Sequence, residues 1–178
     1  MSTPTTTKIS MDAGKTDVPS KGCIKVGQDL KTLEGINFPP GITTLDVSYN
    51  LLTSLVGCPS TVTDLYCYNN RLPNFVGAPA GLIRIDAHLN PIRSTKGLEQ
   101  CTKLKEVSMY MCEMEELRGV PDSVEDLNVA KNKITKIVQI PKECKALGIT
   151  CNRLEDDFVD KSVDQLREML EKKMKLES

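Results

Sequence analysis

The side chains best suited to chemistry are Asp86, His88 and a serine, Ser48 or Ser108, because an acid, an imidazole and a hydroxyl make up a nucleophilic triad. His88 is the sole histidine. Asp86 and His88 stand two residues apart. On a strand that spacing sends both side chains to one face, running parallel, with their backbones some 6–7 Å apart. No glycine-rich elbow or oxyanion device accompanies either serine. A lone histidine on such a face reads as an interface or surface residue. Seven cysteines offer a second chemistry. Cys58, Cys67, Cys101, Cys112, Cys144 and Cys151 include no C-x-x-C pair, so a zinc site is not expected. The pieces "GCP" and "GAP" are turn punctuation rather than phosphate loops. These residues predict no catalytic group, no metal and no cofactor.

What places these side chains is a repeat. Equivalent segments begin at Ile42, Val62, Leu82, Leu104, Val124 and Cys144, with steps of 20, 20, 22, 20 and 20 residues. They read "ITTLDVSYNLL", "VTDLYCYNNRL", "LIRIDAHLNPI", "LKEVSMYMCEM", "VEDLNVAKNKI" and "CKALGITCNRL". Each has an apolar residue, two free positions, another apolar residue, one free position and a small or apolar residue. Two more free positions lead to an Asn/Cys column: Asn50, Asn70, Asn90, Cys112, Asn132 and Asn152. A second column stands three residues ahead of each unit: Pro39, Pro59, Pro79, Cys101, Pro121 and Pro141. The two columns share the same single exception, the fourth unit.

This pattern resembles the leucine-rich repeat, L-x-x-L-x-L-x-x-N/C-x-L, over roughly Ile24 to Leu154. The resemblance implies a single solenoid of about six to seven units, a mainly β horseshoe of the α/β type. Its concave side is expected to carry a parallel sheet with six paired strands. Leu45 and Val47 lie two apart and so point together into a shared core. Leu52 and Leu55 turn the chain back across that core. The asparagine column is expected to form a ladder that bonds the backbone of each bend, with Cys112 as a small substitute. Proline before each strand favours extended backbone. A 20-residue unit is too short for a long helix on the return, so the convex side is expected to be mostly extended. Proline-marked 20-residue units look like those of effectors that bacterial pathogens inject into host cells, and of some large-DNA-virus proteins. The fourth unit, "IRSTKGLEQCTKLKEVSM", is similar to the 22-residue repeats of phosphatase-regulator-type proteins, which implies a short convex helix there.

Repeat stacks need covered ends. Upstream, "CIKVGQDLKTLEGINFPP" reads as a degenerate first unit or cap, supplying Ile24, Val26, Leu30 and Leu33. Downstream, Ser162 and Gln165 fit a capping box, and Val163, Leu166, Met169 and Leu170 form one apolar stripe at helical spacing. The expected organisation is a flexible arm over 1–20, a solenoid over 21–156 and a capping helix within 157–178. A partner-docking role is the rival for that helix.

On this fold the free strand positions form the concave face. One column is Asp46, Tyr66, Asp86, Ser108, Asn128 and Gly148; the next is Ser48, Tyr68, His88, Tyr110, Ala130 and Thr150. Tyr49 lies one step further, near the rim. All four tyrosines and the histidine therefore fall on or beside one surface. Tyrosine gives large contact area with little entropy loss and favours interfaces. With strands ~4.8 Å apart, Tyr68, His88 and Tyr110 should form a continuous row. The expected protein-binding residues are Tyr49, Tyr66, Tyr68, Asp86, His88, Tyr110 and Asn128.

Composition narrows the function classes. The 23 basic and 24 acidic residues leave a net charge of −1, which argues against a nucleic-acid or anionic-membrane footprint. No apolar run approaches the ~20 residues of a membrane span, and "MSTPTTTKISMDAGKTDVPSKG" has no apolar signal core. With no signal segment, seven cysteines predict reduced thiols in a cytoplasmic, host-cytoplasmic or virion setting. The expected function is a non-enzymatic module that binds a protein partner. The alternative is a structural subunit of a large assembly such as a capsid or cytoskeletal particle. Effectors of the resembled kind sometimes carry a C-terminal ubiquitin-ligase domain. Only about 25 residues follow the last unit here, so no such domain is expected.

Overall fold

A computed structural model describes residues 7–9, 23–27 and 29–176. Alternation at period two turns Leu45 and Val47 inward and Thr44 and Asp46 outward, and the units of β4, β5, β6 and β8 repeat it, while Ser48 on the outward side is itself buried. The resulting strands are short: β1 (Thr7–Ile9), β2 (Cys23–Val26), β3 (Thr44–Asp46), β4 (Asp64–Tyr66), β5 (Arg84–Asp86) and β6 (Glu106–Ser108). After β6 come β7 (Glu116–Leu117), β8 (Asp126–Asn128), β9 (Lys136–Ile137) and β10 (Ala146–Gly148). One parallel sheet runs β1-β2-β3-β4-β5-β6-β8-β10, while β7 and β9 pair separately. The six expected strands thus become eight, because β2 of the upstream unit joins β3 and β1 adds beyond it. Of the arm expected over 1–20, only residues 7–9 are among the described residues.

Register makes the core continuous. Ile24, Leu45, Leu65, Ile85, Val107, Leu127 and Leu147 are successive register partners across the sheet. Leu45, Leu65 and Leu127 are fully buried, as are Leu52, Leu55, Leu72, Phe75 and Ile92 on the return. Burying one such side chain stabilises by about 1.5–3 kcal/mol.

The convex side follows turns and extended backbone, with no helix between residues 29 and 155. The short helix implied for the fourth unit does not form. Leu98 N bonds Thr95 O at 3.0 Å and Cys101 N bonds Leu98 O at 2.9 Å, giving successive separate turns. Gly97 accounts for the break. Its φ is +101°, and a Cβ there would run into the Phe75 carbonyl of the preceding coil.

The C-terminal end is closed by a 3₁₀ turn, Asp156–Phe158, and helix α1, Val163–Leu176. Ser162 N donates to Gln165 Oε1 at 2.9 Å and Gln165 N to Ser162 Oγ at 3.3 Å, the reciprocal bonds of a capping box. Leu166 is fully buried, while Val163 and Leu170 pack half-buried on the last coil.

Opposite charges on successive coils bridge neighbours. Lys105 and Lys145 each reach Glu125 at 2.6 Å, and Arg93 reaches Glu113 at 2.6 Å with Lys133 at 3.8 Å. Arg93, Lys105, Lys133 and Lys145 thus have acids from adjacent coils beside them.

Candidate protein-binding face

Five of the six bends from Asn50 to Asn152 are built by a side-chain amide. Asn70 Nδ2 donates to Val47 O at 2.9 Å in the preceding coil and to Cys67 O at 3.0 Å in its own. Its Oδ1 accepts Leu52 N at 2.9 Å. Asn50, Asn90, Asn132 and Asn152 repeat this scheme, receiving Leu30, Leu72, Met114 and Ile134 N–H groups. Cys112 occupies the same slot with weaker reach: its Sγ lies 3.6 Å from Ala87 O. Burial lifts its thiol to about 11.

The residue before each ladder position is forced into the left-handed region. Asp29, Tyr49, Asn69, Leu89, Met111, Lys131 and Cys151 have φ between +53° and +62°. Only Asp and Asn tolerate this readily. The consequence is a rim of side chains flung outward: Tyr49 is 59% exposed, Leu89 41% and Met111 44%. Leu89 and Met111 were missed from the sequence. The signal was there, in the position fixed one residue before each asparagine.

The ladder also shapes the concave face. In a parallel register the Tyr68 amide would bond Val47 O, but Asn50 and Asn70 Nδ2 both occupy that carbonyl. The corresponding amides turn to the face instead. Asp46 Oδ1 accepts Ser48 N at 3.0 Å, Asp86 Oδ1 accepts His88 N at 3.3 Å and Asn128 Oδ1 accepts Ala130 N at 3.1 Å. This gives the Asp/Asn column a structural reason: a short acceptor two residues before a displaced N–H.

The expected residues gather as follows. Tyr66, Tyr68, Asp86, His88, Tyr110 and Asn128 are half-buried on the outward strand positions, with Tyr49 on the rim beside them. Tyr49 meets Tyr68 edge-on, centroids 5.2 Å apart at 80°. Tyr68 stacks on His88 at 4.4 Å and 9°. Tyr110 instead receives Lys131 Nζ at 5.2 Å over its ring. Asp86 and His88 come closer than their backbone spacing suggested. Nδ1–H donates to Asp86 Oδ1 at 2.6 Å, because both side chains lean together over the strand. That contact orients the imidazole beneath Tyr68. Among the described residues no serine hydroxyl bonds His88, and the Ser48 hydroxyl is buried without a partner.

Charge on the face is one-sided. From β3 to β10 the outward strand positions carry the acids Asp46, Asp64, Asp86, Glu106 and Asp126 against one arginine, Arg84. Arg84 forks onto Glu106 with two bonds of 2.7 Å and lies 3.5 Å from Asp64. Hydrogen bonding from Arg84 holds Glu106 below the usual carboxylate range. Lys25 of β2 is in register with Asp46.

Cys58, Cys67, Cys101, Cys112 and Cys144 are packing residues. Cys67, Cys101, Cys112 and Cys144 are buried and Cys58 half-buried, while Cys151 is exposed. Cys101, which stands in the proline column, packs its Sγ 3.5 Å from Pro79 O. No cluster of three potential metal ligands exists among the described residues. Nor is any helix among them long and apolar enough to cross a membrane.

This architecture is that of a leucine-rich-repeat solenoid with a C-terminal cap. Among known proteins it is similar to the leucine-rich effector protein YopM from Yersinia pestis, with a TM-score of 0.61 and 25% identity, covering 73% of this chain and 37% of that one. YopM from Yersinia enterocolitica matches with a TM-score of 0.60 and 20% identity, over 78% of this chain and 31% of that one. In sequence, 104 residues, 56% of the chain, are 32% identical to the protein NUD1 of Saccharomyces cerevisiae. The chain spans 12% of NUD1's length and 37% and 31% of the two solved chains. No family model matches it.

Proposed function

We propose that this chain is a non-enzymatic interaction module that takes a protein partner on its concave face, through Tyr49, Tyr66, Tyr68, Asp86, His88, Tyr110 and Asn128. The solenoid over 21–156 presents the face, the segment within 157–178 caps it, and the arm over 1–20 precedes it. The observation that carries this reading is the connected ring row Tyr49–Tyr68–His88, held in place by the sheet below and open to solvent above. Rigid amphipathic rings on a fixed scaffold bind with little ordering cost. The rim residues Leu89 and Met111 add apolar area beside the row. The negative face repels nucleic acid and anionic membrane alike. The Asp86–His88 contact fixes the imidazole in the ring row, which is a role in shaping the surface.

The test is a pull-down with the wild-type chain and a Tyr66→Ala, Tyr68→Ala, Tyr110→Ala variant. The variant should lose its partners. Equal recovery by both would remove the concave face from the reading.

A further inference from the structure

We infer that the partner presents a basic, extended segment to this face; the inference rests on the concave-face reading above. From β4 to β8 the outward strand positions carry Asp64, Asp86, Glu106 and Asp126 against Arg84, with Lys131 reaching over Tyr110 from the rim, on a chain whose total charge is −1, so acids outnumber bases on this face. Asp64, Asp86, Glu106 and Asp126 stand on four successive strands of the sheet, β4, β5, β6 and β8. At ~4.8 Å per strand they span about 14 Å, which four to five extended residues cover at ~3.3 Å each. Arg84 offsets part of Asp64 and Glu106. Asp126 is exposed and has Glu106 and Ala146 as its register neighbours, so the charge nearest to it in register is of its own sign. Asp86 faces out beside the Tyr68–His88 stack.

The molecule itself shows how these rings receive a cation. Lys131 Nζ lies 5.2 Å over the Tyr110 ring. An incoming lysine or arginine can use Tyr66 or Tyr68 in the same way, with Asp86 as counter-charge. Rings and carboxylates interleaved along one face suit a segment with two or three basic residues in about five. An acidic segment would set like charges together over the whole span.

The experiment uses the full chain and three labelled peptides of about twelve residues: alternating Lys/Ser, alternating Glu/Ser, and Gly/Ser. Fluorescence anisotropy gives affinity and amide shifts map the site. The Lys/Ser peptide should bind at least about tenfold more tightly than the others and weaken as salt rises. Its shifts should centre on Tyr68, His88, Tyr110 and Asp126. An Asp86→Asn, Asp126→Asn variant should lose about tenfold in affinity, and Asp126→Lys should lose at least as much, each with an unchanged melting temperature. Equal binding of the Glu/Ser peptide, shifts on the convex side, or no loss in either variant would overturn the inference. The tyrosine variant separates the two failures. If it loses partners that the Asp86→Asn, Asp126→Asn variant keeps, the face stands and the basic class falls. If neither loses them, the face itself is wrong.

Discussion

Asn70 Nδ2 lies 2.9 Å from Val47 O of the preceding coil, so one side chain ties two bends together. With Cys67 O and Leu52 N it satisfies three backbone groups at a buried position. Asn70→Ala orphans Leu52 N and leaves Val47 O and Cys67 O with only the Asn50 and Asn90 amides as ladder donors, and should cost about 1–3 kcal/mol by urea denaturation. Cys112 makes only long sulfur contacts in the same slot. Cys112→Asn should therefore stabilise by about 1 kcal/mol. An Asn70→Ala loss below about 0.5 kcal/mol would show that the bends hold without the ladder.

Leu89 has φ +57° and is 41% exposed, a strained backbone for an apolar residue. Asn tolerates this region and already fills the equivalent position at Asn69. Leu89→Asn should raise stability by about 0.5–1 kcal/mol, and Leu89→Val, β-branched, should lower it by about 1 kcal/mol or more. Thermal melts of the pair check the sign. The reverse order would show that the rim conformation costs nothing.

The solenoid was legible because the columns repeat at fixed spacing: Leu45, Leu65, Ile85, Val107 and Leu127 needed only a period of two within a period of 20 to be placed in one core. The capping box at Ser162 and Gln165 was equally local. What the sequence could not yield was conformation forced by neighbours. Leu89 and Met111 carry no propensity for the left-handed region; the ladder residue after them imposes it. The Asp86–His88 contact depends on two rotamers rather than on spacing. The turns of the fourth unit depend on Gly97 passing against Phe75, a contact between coils. Tyr110 meets Lys131, 21 residues further on, because the coil between them closes.

Glu125 lies between Lys105 and Lys145, each 2.6 Å away, and hydrogen bonds from both lower its carboxyl from 4.5 to about 2. A carboxylate with a depressed folded-state value adds stability that is fully present above its unfolded value and fades as pH falls through the folded one. The contribution should therefore be constant above pH ~5 and disappear towards pH ~2. The melting-temperature gap between wild type and Glu125→Gln should close over that window, and also narrow in high salt. A gap independent of pH would deny the bridge any role.

Thiol reactivity should separate the cysteines. Burial pushes Cys58 to about 12 and Cys101 to about 11, and Cys67 and Cys144 also upward. Thiolate is the reactive form, so these are suppressed by both ionisation and access. Cys151 is exposed on the rim. In a Cys23→Ser background, Cys151 should react first among the remaining six cysteines with a disulfide reagent at neutral pH, and a further Cys151→Ser should remove that fast phase. Persistence of the phase in the variant would mean that a buried coil opens on the same timescale.

Arg167 closes the last coil by a route that hydrophobic burial does not supply. Its Nη2 donates to the carbonyls of Pro141, Lys142 and Cys144 at 2.8, 2.9 and 2.9 Å, groups that no further coil is there to receive. Leu166 fills the apolar part of the same end. Hydrogen bonds from a charged donor are worth about 1.5–3 kcal/mol, discounted here because the guanidinium is part-exposed. Arg167→Met keeps the apolar stem and removes the donors, and should cost about 1–2 kcal/mol; Leu166→Ala should cost about 2–4 kcal/mol. The two act on adjacent parts of one contact, so their effects should not add. Hydrogen exchange gives the sharper reading. If α1 is the cap, Arg167→Met should speed exchange in β10 and the Asn152 bend while β4 and β5 stay protected. Exchange that rises only within α1 would mean the helix rests on the solenoid without holding its last coil together.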